Sequence, residues 1–342
     1  MDSRVRAAVA AGQGLVTSAR LLGLGISPRQ LSRWVRAGEL VAVRRGVYTT
    51  AELWSSWDEY AARPLARVRA SHLTLEVPHV FSHDSAALVQ QVRLVRPQDS
   101  EVHVTRTGVN GSRVRHGVRH HGAAHRAEQV ALVDGLPVLD VPRTVVDLAR
   151  THGYRAGLVA ADGALQAGVT RAELGEAAAS MVSWPGITQV RAAIEDAVLG
   201  SESVGETLAR ELVCELGHGV PETQFPVRIP SGIAWCDLRL GCHVFEFHGR
   251  LKLRSVDRGG VAEQAAEQVA WDERRRERDV CAEGLGASRI YWDDLWGAAR
   301  ERALVRLERE RAVTEQRFGK QLPTHLAEFA ARVRSQRVRR AG

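Results

Sequence analysis

The sequence predicts an α/β fold class of the α+β, multidomain kind, and three observations carry that expectation. At 342 residues, 44% hydrophobic and 25% charged, the chain can hold two or three separately cored domains and has the composition of a soluble globular protein. Helix punctuation governs residues 15–38 and 144–198, whereas residues 222–248 alternate as strands do. Motif content then changes at Leu199–Ser203. The resulting domain reading is 1–55, 56–200, 201–298 and 299–342.

The first segment has the clearest local signals. Thr17 is an N-cap for a short helix through Leu22, and Gly23–Gly25 breaks it. Ser27 caps a second helix with Pro28 at its first position, and Gly38 ends it. On that second helix Leu31, Trp34 and Val35 share one face, while Arg29, Arg33 and Arg36 recur at i, i+4 and i+7 on another. Leu40 to Tyr48 then alternates as two short strands around a turn bearing Arg44 and Arg45. Helix, tight turn, helix and basic hairpin make a winged helix-turn-helix pattern, in which the second helix enters the major groove and the wing rests on phosphate. A solvated helix face is the alternative, but the charge is one-sided: Arg20, Arg29, Arg33, Arg36, Arg44 and Arg45 are opposed only by Glu39.

The run GLGISPRQLSRWVRAGELVAVRRGVYTT, Gly23 to Thr50, resembles the N-terminal winged-helix domain of AbiEi-type antitoxins. Members of that family repress their own operons by binding DNA beside a toxin gene. The resemblance covers about the first fifty residues and implies double-stranded DNA and a cognate toxin as partners.

Residues 60–200 carry fewer chemical signals. SHDSAA, Ser82 to Ala87, begins like a helix, and EVHVT, Glu101 to Thr105, alternates like a strand. In VRHGVRHHGAAH, Val114 to His125, four histidines (116, 120, 121 and 125) invite a metal reading, yet no carboxylate or spacing completes a recognisable site, and a polar hairpin is the plainer expectation. DGLPVLDVPRTVVDLAR, Asp134 to Arg150, leads into a helix in which Arg143 and Asp147 form an i,i+4 pair. This phrase is similar to the middle region of actinobacterial AbiEi-like proteins, which implies a mixed α/β module. Helices are expected over 155–167, 171–182 and 186–198.

Beyond the boundary, Ser203 and Glu206 make an S-x-x-E capping box at the start of a helix. TQFPVRI, IAWCDLRL and HVFEFHG read as strands, with Gly241 at a turn. Val244, Glu246 and His248 share one face of the last strand and Phe245 and Phe247 the other. A four-residue loop over Leu240–His243 would set Asp237 opposite Glu246. Two carboxylates meeting there, with a basic group nearby, are what metal-assisted phosphodiester hydrolysis requires: acidic oxygens hold Mg2+, and the ion activates water and stabilises developing charge.

Residues Ser203 to Trp296 resemble the PD-(D/E)xK nuclease superfamily, and more closely its branch related to very-short-patch-repair endonucleases. The resemblance is carried by SVGETLAR, by EFHGRLK at Glu246 to Lys252, by the Glu273–Glu277 run and by SRIYWDDL at Ser288 to Leu295. It implies a restriction-endonuclease-like mixed sheet flanked by helices, with Glu206, Asp237, Glu246 and Lys252 as catalytic positions and Asp237 and Glu246 on Mg2+. Glu273 is a secondary candidate. Relatives read EFDG where this chain has His248, and the short-patch-repair enzymes place a second histidine where it has Leu253. His248 is therefore itself a candidate, since imidazole can ligate a metal or act as a base.

A net charge of +7 suits an anionic partner. Cys214, Cys236, Cys242 and Cys281 form no CxxC pair, so neither a zinc ribbon nor a disulfide framework is expected, and Cys236 with Cys242 and His243 lacks a fourth metal ligand. No leader and no long apolar run point to secretion or a membrane, which leaves the cytoplasm as the expected location. The tail from Gly297 reads as a charged helix with a basic end. The function expected is a DNA-binding regulator of antitoxin type; a magnesium-dependent endonuclease acting in defence or repair is the alternative.

Overall fold

The computed structural model describes residues 2–95, 101–249 and 266–341, with the side chains of 266–270 and 337–341 outside that description. The chain divides into two compact units, Met1–Ala197 and Val198–Gly342, each with mixed helices and strands.

The first unit opens with α1 (Ser3–Ala11), β1 (Val16–Thr17), α2 (Ser18–Gly23), α3 (Pro28–Arg36), β2 (Leu40–Arg44) and β3 (Val47–Thr50). Thr17 and Ser27 cap α2 and α3 as expected, and Gln30 completes a reciprocal capping box with Ser27. Gly38 adopts the left-handed backbone (φ +70°) that lets the chain turn from α3 into β2. Val5 and Val9 of α1 join Leu21, Ile26, Leu31, Trp34 and Leu40 in one core. Two elements of this segment went unread in the sequence: α1 presents only those two buried side chains, and β1 has two residues, pairing with β3 in the order β1-β3-β2.

Next come α4 (Ala51–Ser56), α5 (Ala62–His72), β4 (Val80–Phe81), α6 (His83–Gln90), β5 (Val102–Arg106), β6 (Ser112–Arg115), β7 (Val118–Gly122), β8 (Val130–Val133) and β9 (Leu136–Leu139). Six strands form one sheet in the order β6-β7-β5-β4-β9-β8. The histidine-rich run does fold as the β6–β7 hairpin, and β7 then continues the sheet in parallel with β5. Four helices, α7 (Val141–His152), α8 (Tyr154–Gln166), α9 (Arg171–Ala179) and α10 (Ile187–Asp196), close the unit around an alanine-rich core. Arg143 and Asp147 of α7 make the expected pair at 3.1 Å, fully buried.

The second unit runs α11 (Val204–Cys214), β10 (Glu222–Ile229), β11 (Gly232–Leu240), β12 (His243–His248), α12 (Ala266–Ala282), β13 (Gly286–Tyr291), α13 (Gly297–Phe318) and α14 (Thr324–Ala341). Its sheet has the order β10-β11-β12-β13, with the first three strands antiparallel and β13 parallel to β12. The β11–β12 turn is tighter than expected: Leu240 pairs with His243, so only Gly241 and Cys242 turn, although the register is the one foreseen. Helices cover both faces. Val244 packs with Val280 of α12 and Leu326 of α14, while Phe247 lies against Gly205 of α11, where a β-carbon would stand 1.9 Å from its ring.

The tail is not a separate segment beginning at 299. Leu307 of α13 and Leu326, Phe329 and Ala330 of α14 are buried, and α13 also supplies Thr314 to the buried His243. Two mostly charged helices thus complete the core through a narrow apolar stripe, too sparse to stand out in the sequence.

Candidate functional site

In the winged helix, α3 keeps Leu31 and Trp34 in the core and turns Arg29, Arg33 and Arg36 to solvent. Arg45 is exposed at the wing turn. The capping box fixes the start of α3: Ser27 N–H donates to Gln30 Oε1 at 2.8 Å and Gln30 N–H to Ser27 Oγ at 3.3 Å. The ridge is thereby presented on a helix whose first turn is capped in both directions.

Arg44 behaves differently from its neighbour. Its guanidinium donates to Thr74 Oγ1 (2.9 Å), Ser71 Oγ (3.3 Å) and the His116 carbonyl (2.9 Å), and burial lowers its pKa. It ties the wing to α5 and to the β6–β7 turn, and the exposed basic face consists of Arg29, Arg33, Arg36 and Arg45.

In the second unit the acidic candidates lie on adjoining elements. Beyond Leu238↔Phe245 the backbone ladder of β11 and β12 gives way to a side chain: the Asp237 carboxylate accepts from Phe247 N–H at 2.8 Å. Glu246, one residue earlier, is met by Arg276 of α12 at 3.4 Å, and the same guanidinium donates to the Trp235 carbonyl. His248 Nδ1 lies 3.6 Å from Glu273 Oε2, so Glu273 meets the histidine rather than only its helix neighbours. The Cys236 thiol, buried and beside Glu246, has its pKa pushed far up. Lys252 lies outside the described residues.

Glu206 is buried and occupied. Its carboxylate accepts from Glu202 N–H (2.7 Å), Ser203 Oγ (2.9 Å) and Gln224 Nε2 (3.4 Å), while Ser203 Oγ accepts from Glu206 N–H. The return half of the expected capping box therefore falls on Glu202, one residue earlier.

Mg2+ would need at least two free carboxylates converging on one point. Here Asp237 caps a backbone donor, Glu206 caps its own helix, and a guanidinium already faces Glu246. Among the described residues, the acidic candidates as arranged do not fit the ion. Cys236 and Cys242 do not gather around His243 either: Cys242 Sγ donates to the Gln321 carbonyl at 2.9 Å, and His243 is bonded to Thr314 and Ser288. Among the described residues, the ligand atoms close enough together to hold an ion belong to His83, His103 and His121, a set no single stretch of sequence reveals.

One comparison with known proteins bears on the N-terminal segment. Residues 3–51 match the family model of transcriptional regulators described as AbiEi antitoxin. That match spans α1 through β3, so it includes α1, which sequence periodicity did not reveal. No curated protein matches the chain. Among solved structures, the RV2827C protein from Mycobacterium tuberculosis is similar at 17% identity and a TM-score of 0.34, over 58% of this chain and 83% of that one. No described helix is long and apolar enough to cross a membrane.

Proposed function

We propose that this protein is a DNA-binding transcriptional regulator of the AbiEi-antitoxin type, which contacts double-stranded DNA through α3 and the wing. The carrying observation is the exposed ridge Arg29, Arg33 and Arg36 on a capped helix whose opposite face is core, within the segment that matches the regulator family. Such a helix suits major-groove entry, with Arg45 placed to meet phosphate. This reading implies a cognate toxin as protein partner, and operator DNA next to the protein's own gene as ligand.

Titration of that upstream DNA with full-length protein at several salt concentrations tests the reading. Binding that weakens steeply with salt, and that the Arg29, Arg33 and Arg36 triple alanine variant loses, supports it. Equal affinity of the wild type and the triple variant overturns it.

A second reading keeps the C-terminal unit as an endonuclease. It draws on the element order α11-β10-β11-β12-α12-β13 and on Asp237 and Glu246 occupying neighbouring strands. The Arg276 contact with Glu246 weighs against it and favours a nuclease-like fold retained without its metal chemistry. Supercoiled plasmid incubated with Mg2+ or Mn2+ separates the two: nicking that disappears in Asp237→Asn establishes the endonuclease.

A further inference from the structure

We propose that His83, His103 and His121 form a binding site for one transition-metal ion of the zinc class, in the six-stranded-sheet module of the first unit. The site is independent of the DNA-binding reading. One ring nitrogen from each histidine lies within 4.8 Å of the other two. His103 Nδ1 and His121 Nε2 are 3.1 Å apart. A tetrahedral ion with bonds of about 2.0–2.1 Å sets its ligand nitrogens about 3.4 Å from one another, so a small expansion of this pair admits it.

Three separate elements hold the rings. His103 on β5 and His121 on the parallel neighbour β7 are diagonal partners, because His121 stands level with Thr105. His83 begins α6, and its ring stacks on that of His121 with centroids 3.8 Å apart, so one of the two rings must turn to bring both in-plane lone pairs onto one ion. The local backbone is pinned: Ser82 N–H donates to the His103 carbonyl (3.1 Å), and His103 N–H donates to the buried Ser85 Oγ (2.8 Å). His83 itself takes a left-handed backbone (φ +52°), a costly conformation for a side-chain-bearing residue and one that gathers at functional sites. Ser82 Oγ lies 2.9 Å from His83 Nδ1, the kind of outer contact that orients ligating histidines.

The chemistry of the donors selects the ion. Three imidazoles suit zinc-class ions, whereas Mg2+ and Ca2+ take oxygen. His83 and His121 would each bind the ion as the neutral imidazole, which is the ligating form. Arg150, whose charge reaches both, is paired with Asp147 at 3.5 Å and donates to the Pro185 carbonyl. A carboxylate stands close by: Asp84, next to His83, meets His152 Nε2 at 2.6 Å. Three protein nitrogens leave the fourth coordination position to water or a substrate atom, as in catalytic rather than closed structural zinc sites.

The test uses untagged full-length protein, stripped with a chelator and titrated with Zn2+ or Co2+. One ion per chain is expected, with visible ligand-field bands for Co2+. His121→Asn, at the least buried of the three positions, is expected to weaken binding by roughly 100-fold or more, while His218→Asn, a surface histidine of the second unit paired with Glu308, binds as the wild type does. No uptake, or undiminished affinity in His121→Asn, overturns the proposal, as does loss of uptake in His218→Asn. Should His121→Asn fail to fold, X-ray absorption of the zinc-loaded wild type decides: imidazole nitrogens at about 2.0 Å sustain the site, and an all-oxygen shell overturns it.

Discussion

Arg276 of the crossover helix lies 3.4 Å from the Glu246 carboxylate of the strand beneath it. A side-chain cation thus faces one of the two carboxylates expected from the sequence to hold Mg2+. Glu246→Gln should leave the guanidinium with the Trp235 carbonyl but without its counter-charge. The pair is part-exposed, so the expected loss is about 1 kcal/mol, read as a lower urea midpoint. A gain in stability would mean that the pair is not formed in solution.

Arg33 of the exposed α3 ridge and Arg44 of the wing should separate in experiment. Arg33→Ala is expected to weaken DNA binding by about 1–3 kcal/mol if the side chain reads a base edge, with little change in the melting temperature. Arg44→Ala should do the reverse, because it strands Thr74, Ser71 and the His116 carbonyl. Its cost is about 1–3 kcal/mol of stability. Binding isotherms and thermal melts of the two variants check both halves.

His243 makes the second unit acid-sensitive. It is buried, with Nδ1 at 2.6 Å from Thr314 Oγ1 and Nε2 at 2.7 Å from Ser288 Oγ. Ser288 in turn donates its hydroxyl proton to Glu310. Burial, aided by the charge of Arg311, lowers its pKa to about 4 from 6.5. Between those values the unfolded chain holds a proton that the folded chain does not, so stability falls as pH drops from 6.5 towards 4. The expected loss is about 3 kcal/mol. Urea midpoints across this range should slope for the wild type and lose that part of the slope in His243→Gln.

Gly205 lets α11 touch the sheet. A methyl group there would stand 1.9 Å from the Phe247 ring, so Gly205→Ala should destabilise the second unit. Overpacking of this kind costs about 1–3 kcal/mol. Combining it with Phe247→Leu should recover part of the loss, as denaturant melts of the single and double variants would register.

A fragment ending at Ala197 should remain soluble and bind DNA as the full chain does, because the unit boundary falls there and the exposed arginine ridge lies wholly within the first unit. Aggregation of the fragment would mean that the two units share a core.

The winged helix was legible in the sequence because its determinants are local. Thr17 and Ser27 as caps, Pro28 at a first turn and Gly38 at a turn act within a few residues, and the periodicity that buries Leu31 and Trp34 also exposes Arg29, Arg33 and Arg36. The register of Asp237 and Glu246 was legible for the same reason, since a short hairpin leaves little choice. What no pattern foretold was which residue of a distant element would meet each of these. Arg276 reaches Glu246 from 30 residues away, Arg44 turns inward to α5 and the β6–β7 turn, and charged α13 and α14 close a core. The histidine cluster is the clearest case. His121 sits in a run that looked incomplete as a metal site, and its partners His83 and His103 come from two other elements, the nearer of them 18 residues off. Periodicity assigns a side chain to a face. Only the packing of one face on another decides its neighbours, because that depends on crossings and registers between segments remote in sequence.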